Sequence, residues 1–462
     1  MGVISYGNGC ACVKNYKNSG LKNFNSHLIN CLVRPTIGKS IENLRKQIYK
    51  MKPKIIARDK QHLKQLVAEE IKINGRQCDL NHIDVSNMTD MSELFEGSIF
   101  NGNISQWDVS NVVSMCRMFQ NSVFNGNISQ WDVSNVINMN AIFYYSQFNQ
   151  DISLWNVSKV TDMGYMFCRS VFNQSISRWD VSNVVDMNGM FAGSIFNKDI
   201  SKWDVSNVVD MSAMFQKSVF NQDISRWDTS KTETMSYMFS CSKFNGNISK
   251  WNTANVIAMD HLFFDTKFNQ DISQWDVSGV TNMHRMFQNS CFNQDISEWD
   301  VSSVADMSLM FAASTFNKNI SNWIVSEVND MWGMFAESTF NQNISLWDVS
   351  GVVNMGHMFY QSNFNQNISQ WDVSEVVNMK GMFGLSVLDY SLSDWQPRKL
   401  KVANNVFKGS KLEKEQSLPY WVNVEIKYLE QAIDAYQLQK QLKANLDSNL
   451  IEAQTKSRLI KI

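Results

Sequence analysis

The 462-residue chain has little proline and no long apolar run. It contains 4 Pro and 20 Gly, which excludes a collagen-like chain and a chain made of flexible linkers. No apolar stretch approaches the roughly 20 residues that a membrane-spanning helix needs. The first residues also lack the basic region and apolar core of a signal peptide. We therefore expect no transmembrane segment, and the sequence leaves the compartment open.

Motifs of common catalytic and cofactor sites are also missing. We find no GxxxxGK[ST], no GxGxxG after a strand, no HExxH and no GxSxG. The six His residues are scattered, and the neighbouring His261 and His284 are too few ligands for a zinc site. The sequence therefore predicts no catalytic residue, no cofactor and no metal, and an enzyme is the least favoured class.

What the chain does have is a strict 24-residue period. A fixed period of this size is typical of proteins built from stacked repeats. Only Trp332 and Trp421 fall outside a series of thirteen tryptophans, which are Trp107, Trp131, Trp155, Trp179, Trp203, Trp227, Trp251, Trp275, Trp299, Trp323, Trp347, Trp371 and Trp395.

Each unit follows the frame F-N-x-[DN]-I-S-x-W-D-V-S-x-V-x-x-M-x-x-M-F-x-x-S-x, as in Phe124 to Gln147. Nearly alternating apolar residues around Trp131 predict a short strand, paired in parallel with the next unit. Its centre falls on either Asp-Ile-Ser or Trp-Asp-Val. Ser134 is placed to cap a short α or 3₁₀ helical turn, whose apolar stripe is Val136, Met139, Ile142 and Phe143. The predicted fold is a leucine-rich-repeat-like solenoid with helical caps.

The period divides the chain into four parts. Residues 1–39 form an irregular basic leader, and residues 40–75 an amphipathic helical cap with Leu63 and Val67 on its apolar face. Fourteen repeats fill residues 76–411. Residues 412–462 form a helical segment that caps the last unit or, less favoured, pairs with another chain as a short coiled coil.

The net charge of −2 hides an uneven distribution. Residues 1–75 have 14 Lys and Arg against 4 Asp and Glu, residues 76–397 have 16 against 33, and residues 398–462 have 12 against 7. Nucleic-acid binding depends on Lys and Arg that neutralise phosphates. The acidic repeats are therefore not expected to bind nucleic acid.

Two further residue types invite a structural interpretation. The Asp after most tryptophans, such as Asp132, is either a turn cap or part of a calcium-binding carboxylate ladder. Capping is favoured because Asn156 and Asn252 replace it in two units. The eight cysteines fall at different repeat positions, so we expect free thiols, which weakly favours a reducing compartment.

Positions that change from unit to unit are the candidates for binding. They follow the first Met and the closing Phe of the frame, and we expect them to face solvent. Exposed aromatic side chains there are candidate anchors for a protein partner. The candidate contact residues are Tyr144, Tyr145, Phe264, Trp332 and Tyr360.

The unit FNQDISQWDVSGVTNMHRMF at residues 268–287 resembles the repeat of the BspA-like leucine-rich-repeat surface proteins. That resemblance implies a leucine-rich-repeat-type solenoid, a surface or secreted location and adhesion to host or matrix proteins, with no catalytic residues. The leading hypothesis is a non-enzymatic, adhesin-like scaffold that binds another macromolecule, favoured to be a protein. The alternative is a structural spacer without a specific ligand. The partner, the compartment and the oligomeric state are not predicted.

Overall fold

The computed structural model describes residues 52–459, with side chains up to residue 448. Strand β1 (Ile55–Ile56) pairs in parallel with β2 (Ile83–Asp84), and Ile55 donates to the His82 carbonyl at 3.0 Å. This pair belongs to one compact unit. A second contains Ala57–Asn81 and the chain from Val85 onward. The remaining elements are all in the second unit: helices α1 (Lys60–Asn74), α2 (Lys411–Lys414) and α3 (Leu429–Leu459), and 3₁₀ helices Tyr420–Asn423 and Ile426–Tyr428.

Between Val85 and Ser410 the second unit is made of turns and single-residue bridges. Each bridge is parallel and joins residues 24 apart, from Asp90 with Ser114 to Asn378 with Val402. The repeats therefore stack in register, each hydrogen-bonded to the next. The parallel pairing agrees with the sequence prediction. Asp79 and Asn103 pair at the predicted Asp-Ile-Ser position, but the other bridges lie at neither predicted centre.

The backbone hydrogen bonds that join successive units, which we call the stacking ladder, lie in the segment for which we predicted a helix. Every second amide in residues 139–145 donates to the next unit, as Ala141 does to the Gly164 carbonyl at 2.8 Å and Phe143 to the Met166 carbonyl at 3.0 Å. Of the amides between them, those of Ile142 and Tyr144 donate three residues back in their own unit, and that of Asn140 donates to Asn138 Oδ1 at 2.8 Å. The predicted helical turn is therefore wrong, because alternate amides bond between units and not along a helix.

A left-handed backbone at two positions per unit explains this pattern. Ala141 and Tyr145 have φ of 53° and 52°, and the same positions have positive φ in other units. The amide of each of these residues donates to the neighbouring unit, and the amide that follows it donates within its own unit. For residues with a side chain, the left-handed conformation costs about 1–2 kcal/mol, which the inter-unit bonds must offset.

The predicted strand and cap near Trp131 are also wrong. The Trp131 amide donates to the Ile128 carbonyl at 3.1 Å and closes a turn. Ser134 does not cap a helix, since its own amide donates to Asp132 Oδ1 at 3.0 Å. Local apolar spacing does not contain these hydrogen bonds, one to a backbone carbonyl and one to a side chain.

Columns of frame residues fill the interior. The Phe, Ile, Trp and Met positions are buried throughout the repeats. Rings pack between units, as Phe143 does with Phe148 at 4.1 Å and with Phe167 at 5.7 Å between centroids. The indole N–H of each of the thirteen periodic tryptophans donates to the carbonyl 27 residues earlier at 3.0–3.2 Å. Each tryptophan thus also satisfies a carbonyl of the preceding unit.

Both ends of the array carry capping elements. Helix α1 begins at the N-cap Asp59 and buries Leu63 and Val67. It lies within the predicted cap, of which residues 40–51, like the leader at 1–39, lie outside the described residues. At the other end, Trp421 continues the tryptophan column, stacked on Trp395 at 6.4 Å and donating to the Leu392 carbonyl at 3.4 Å. Trp421 is thus a column residue, although its spacing departs from the period.

Candidate functional site

The side chains that differ between units lie along the stacking ladder. Several of them, such as Cys168, Ser240 and Ala312, are buried, so the prediction that these positions face solvent is wrong there. The side chains that differ occupy the positions of Asn140, Ala141, Tyr144 and Tyr145 and their equivalents every 24 residues from Ser92 to Gly409. We call this set the variable face. Because the ladder fixes its backbone, side chains of successive units lie in parallel columns, at positions set by hydrogen bonds and not by a flexible loop.

Large side chains on the variable face lie across glycines of the next unit. A Cβ atom added to Gly356 would lie 2.7 Å from Cδ1 of Trp332, and one added to Gly384 would lie 3.0 Å from Cδ2 of Tyr360. These rings therefore rest on backbone that only glycine leaves open. The same arrangement pairs His357 with Gly381, Tyr165 with Gly189, Leu309 with Gly333 and Leu385 with Gly409.

The five candidate residues occupy separate parts of this face. Tyr145 is 56% exposed, whereas Tyr144, Phe264, Trp332 and Tyr360 are half-buried. Tyr144 and Tyr145 lie in one unit, and Phe264 lies five units further along the array. All five thus retain accessible surface, but they do not form one patch.

Trp332 and Tyr360 come together through a residue that sequence reasoning missed. The His357 ring lies edge-on to Trp332 at 5.7 Å and to Tyr360 at 5.3 Å between centroids. Burial, and then the positive charge of Lys380, lower the pKa of His357. The resulting cluster of two aromatic rings and an imidazole spans two adjacent units.

A polar cluster occupies the variable face near its middle. The His261 ring stacks on Tyr237 at 4.1 Å, and its Nδ1 lies 3.2 Å from Asp260. His284 meets His261 edge-on at 5.0 Å and contacts Ser308 Oγ through Nδ1 at 2.6 Å. Burial is the main cause of the lowered pKa of His284. These contacts satisfy polar side chains that the stacking partly buries.

The Asp that follows most tryptophans caps a turn. In the unit of Trp107, Asp108 Oδ1 accepts from the amide of Ser110 at 3.1 Å and from its hydroxyl at 2.6 Å. The hydrogen bonds from Ser134 similarly lower the pKa of Asp132. The capping interpretation is therefore the one that the geometry supports. Within residues 52–459, no group of three His, Cys, Asp or Glu side chains is arranged to hold a metal ion.

One family model matches the repeats and their flanks. It is described as "Mycoplasma protein of unknown function, DUF285", and its six overlapping matches cover residues 61–175, 145–245, 168–267, 240–347, 311–421 and 334–445. The chain belongs to this family. The description of the family names no activity, ligand or location. No curated protein and no solved structure matches the chain.

Two further findings concern the family member described here. No helix in the described part of the chain has the length and apolar character needed to cross a bilayer. Four cysteines in that part are free thiols, as expected from their different repeat positions; they are Cys116, Cys168, Cys241 and Cys291.

A sequence signal for the His357 cluster does exist. A large variable residue is followed by glycine 24 residues later at Trp332 and Gly356, and again at Tyr360 and Gly384. Comparing each unit with the next, position by position, finds these pairs. Looking for exposed aromatic residues alone does not find His357.

Proposed function

We propose that the protein is a non-enzymatic interaction scaffold that binds another protein through the variable face. In this proposal the repeats form a leucine-rich-repeat-type solenoid. The interior columns hold the stack together, and the differences between units specify the partner. The resemblance to BspA-like surface proteins supports an adhesin-like role for this scaffold.

The observation that carries the proposal is the seating of large side chains on glycine. Trp332, His357 and Tyr360 each lie on a glycine of the next unit and stay partly accessible. Rigid aromatic residues are effective anchors because little conformational entropy is lost when they are covered.

Charge supports a protein partner over a nucleic acid. Residues 76–397 contain 33 acidic and 16 basic side chains, so a phosphate backbone along the repeats would be repelled. A protein surface that combines apolar and polar groups does not meet this obstacle. The variable face offers both, in the aromatic cluster at His357 and the polar cluster at His261.

The proposal is tested with a partner identified by crosslinking to the native protein. The variant carries Tyr144→Ala, Tyr145→Ala, Trp332→Ala and Tyr360→Ala, and we expect at least a tenfold loss of affinity, since about 1.4 kcal/mol corresponds to a factor of ten. The control carries Leu154→Ala and Leu346→Ala, which lie 68% and 84% exposed beside two tryptophans and outside the variable face. Unchanged binding by the first variant contradicts the proposal. Failure to recover any specific partner favours the spacer alternative.

A further inference from the structure

A cavity opens on the variable face beside the aromatic cluster. Its volume is about 320 Å³, near the lower end of the roughly 300–1,000 Å³ of ligand pockets. Three successive units contribute to it, and it is lined by His357, Tyr360, Lys380, Gly381, Gly384, Leu385, Asn405 and Lys408.

Two glycines lie in the wall of this cavity, beside the rings of His357 and Tyr360. Gly384 stands where other units have a side chain, such as Tyr360 in the preceding unit and Lys408 in the following one. Gly381 likewise stands between His357 and Asn405 in its column. The backbone ladder continues through all three units, with Gln361 donating to the Gly384 carbonyl at 2.7 Å, so the spacing of the backbone around the cavity is fixed.

The walls combine apolar surface with positive charge. Tyr360 and Leu385, which is 48% exposed, supply apolar surface. Lys380 and Lys408 are exposed, and neither forms an ion pair with any residue of the described part of the chain. The lining contains no acidic residue. In an array with a large excess of Asp and Glu, this is a local reversal of charge.

We propose that this cavity receives an apolar side chain of the partner protein, and that carboxylates flanking that side chain pair with Lys380 and Lys408. The inference rests on the proposed protein-binding function and names the chemistry of the bound segment. Apolar contact with Tyr360 and Leu385 supplies the anchor. The two ammonium groups select acidic neighbours over neutral or basic ones.

The test uses short blocked peptides and the full-length protein. The probe is acetyl-Glu-Leu-Glu-amide, compared with acetyl-Gln-Leu-Gln-amide and acetyl-Glu-Gly-Glu-amide. Binding is followed by the Cε1–H nuclear magnetic resonance signal of His357, assigned from a His357→Gln variant. We expect saturable shifts with the first peptide and at least tenfold weaker binding of the other two.

A matched pair of variants separates a local site from general attraction to lysine. Lys380→Gln with Lys408→Gln is expected to weaken binding of the acidic leucine peptide at least tenfold. Lys401→Gln with Lys414→Gln removes the same charge from two exposed lysines outside the cavity, and we expect less than a twofold change. Equal losses in both variants contradict the inference, as does equal binding of all three peptides or no shift with any.

The result is distinguishable from a failure of the proposed function. If no peptide binds but the variant with the four alanine substitutions still loses affinity for its partner, the variable face remains the binding surface. Only the inference that the partner supplies an acidic apolar segment is then contradicted. If the peptide binds as expected but that variant retains full affinity for its partner, the cavity binds acidic apolar segments without being the partner's site, and both the proposed function and the inference about the partner are contradicted.

Discussion

The interior columns and the variable face lie on the same 24-residue unit but differ in what they allow. At the Phe263 position every unit has Phe, whereas at the adjacent Phe264 position the units have Glu, Gln, Tyr, Cys, Ala, Ser, Phe, Gly or Lys. The interior residue must match the unit on either side of it, while the outer residue only has to be accommodated by the next unit. Repetition therefore preserves the stack, and departures from repetition provide the information for binding.

The largest effect that separates the two regions is expected from neighbouring phenylalanines. Phe263 is fully buried, stacked at 4.0 Å on Phe268 and at 5.7 Å on Phe287, and Phe263→Ala is expected to cost about 3–5 kcal/mol. Phe264→Ala, at the half-buried outer position, is expected to cost less than about 1 kcal/mol. Urea unfolding of both variants checks this. Similar losses contradict the distinction between column and face.

A second comparison uses the two tryptophans outside the period. Trp421 is 2% exposed and covers the last unit of the tryptophan column, so Trp421→Ala is expected to cost about 3–5 kcal/mol. Trp332 lies on the variable face, and Trp332→Ala is expected to cost less than half as much. Thermal unfolding of the two variants measures the difference. A smaller loss for Trp421→Ala than for Trp332→Ala shows that Trp421 is not an end cap.

Backbone geometry gives a third pair, in which the two substitutions are expected to differ in sign. Ala313 has φ of 51° and is exposed, so Ala313→Gly is expected to stabilise by about 1 kcal/mol through relief of left-handed strain. The adjacent Ala312 is buried and outside the left-handed region, so Ala312→Gly is expected to destabilise by about 0.5–1 kcal/mol. The urea concentrations at which the two variants are half unfolded show whether their stabilities change in opposite directions. If both substitutions destabilise the protein, relief of left-handed strain at Ala313 is contradicted.

The smallest expected effects depend on pH and also differ in sign. Hydrogen bonds from Ser206 lower the pKa of Asp204, so this carboxylate stabilises the fold above its unfolded pKa, and the contribution is lost as pH falls through the folded pKa. Burial, with repulsion from Asp162 and Asp210, raises the pKa of Asp186, so this carboxylate destabilises the fold at pH 7.

Asparagine variants isolate the two contributions. Asp204→Asn is expected to lower stability at pH 7 and to have little effect at low pH. Asp186→Asn is expected to raise stability at pH 7, with a gain that shrinks as pH falls and the native carboxyl is protonated. Asn occupies both positions in other units, as at Asn156 and Asn138, so neither variant alters the frame. The measurement is unfolding by urea across pH 2 to 7. If both variants change the stability at pH 7 in the same direction, the opposite contributions of Asp204 and Asp186 are contradicted.

Much of the interior was predictable from the sequence, and the backbone was not. The columns of Trp131 and Phe143 are buried as expected, because invariant apolar positions have no other place in a stacked repeat. The helical turn was wrong because apolar residues three and four apart also fit successive turns with alternating φ. Only the hydrogen bonds to the next unit distinguish a helical turn from these successive turns, and the spacing of residues within one unit gives no information about those bonds.

The candidate surface was predictable only in part. The variable positions identify Trp332 and Tyr360 from the sequence, but the role of His357 depends on the contact between adjacent units. Trp421 was missed as a column residue because the 26 residues that separate it from Trp395 break the 24-residue period. An irregular connection places its indole in the same column, which no periodic comparison detects.

Side-chain footprinting of the native protein with its bound partner tests the central claim most directly. Hydroxyl-radical labelling is compared for Tyr145, Trp332 and Tyr360 on the variable face and for Leu154 and Leu346 beside the tryptophan column. Binding through the variable face predicts that at least one of the three aromatic residues is protected on binding and that the two leucines are not. Protection of the leucines with no change at the aromatic residues contradicts the account.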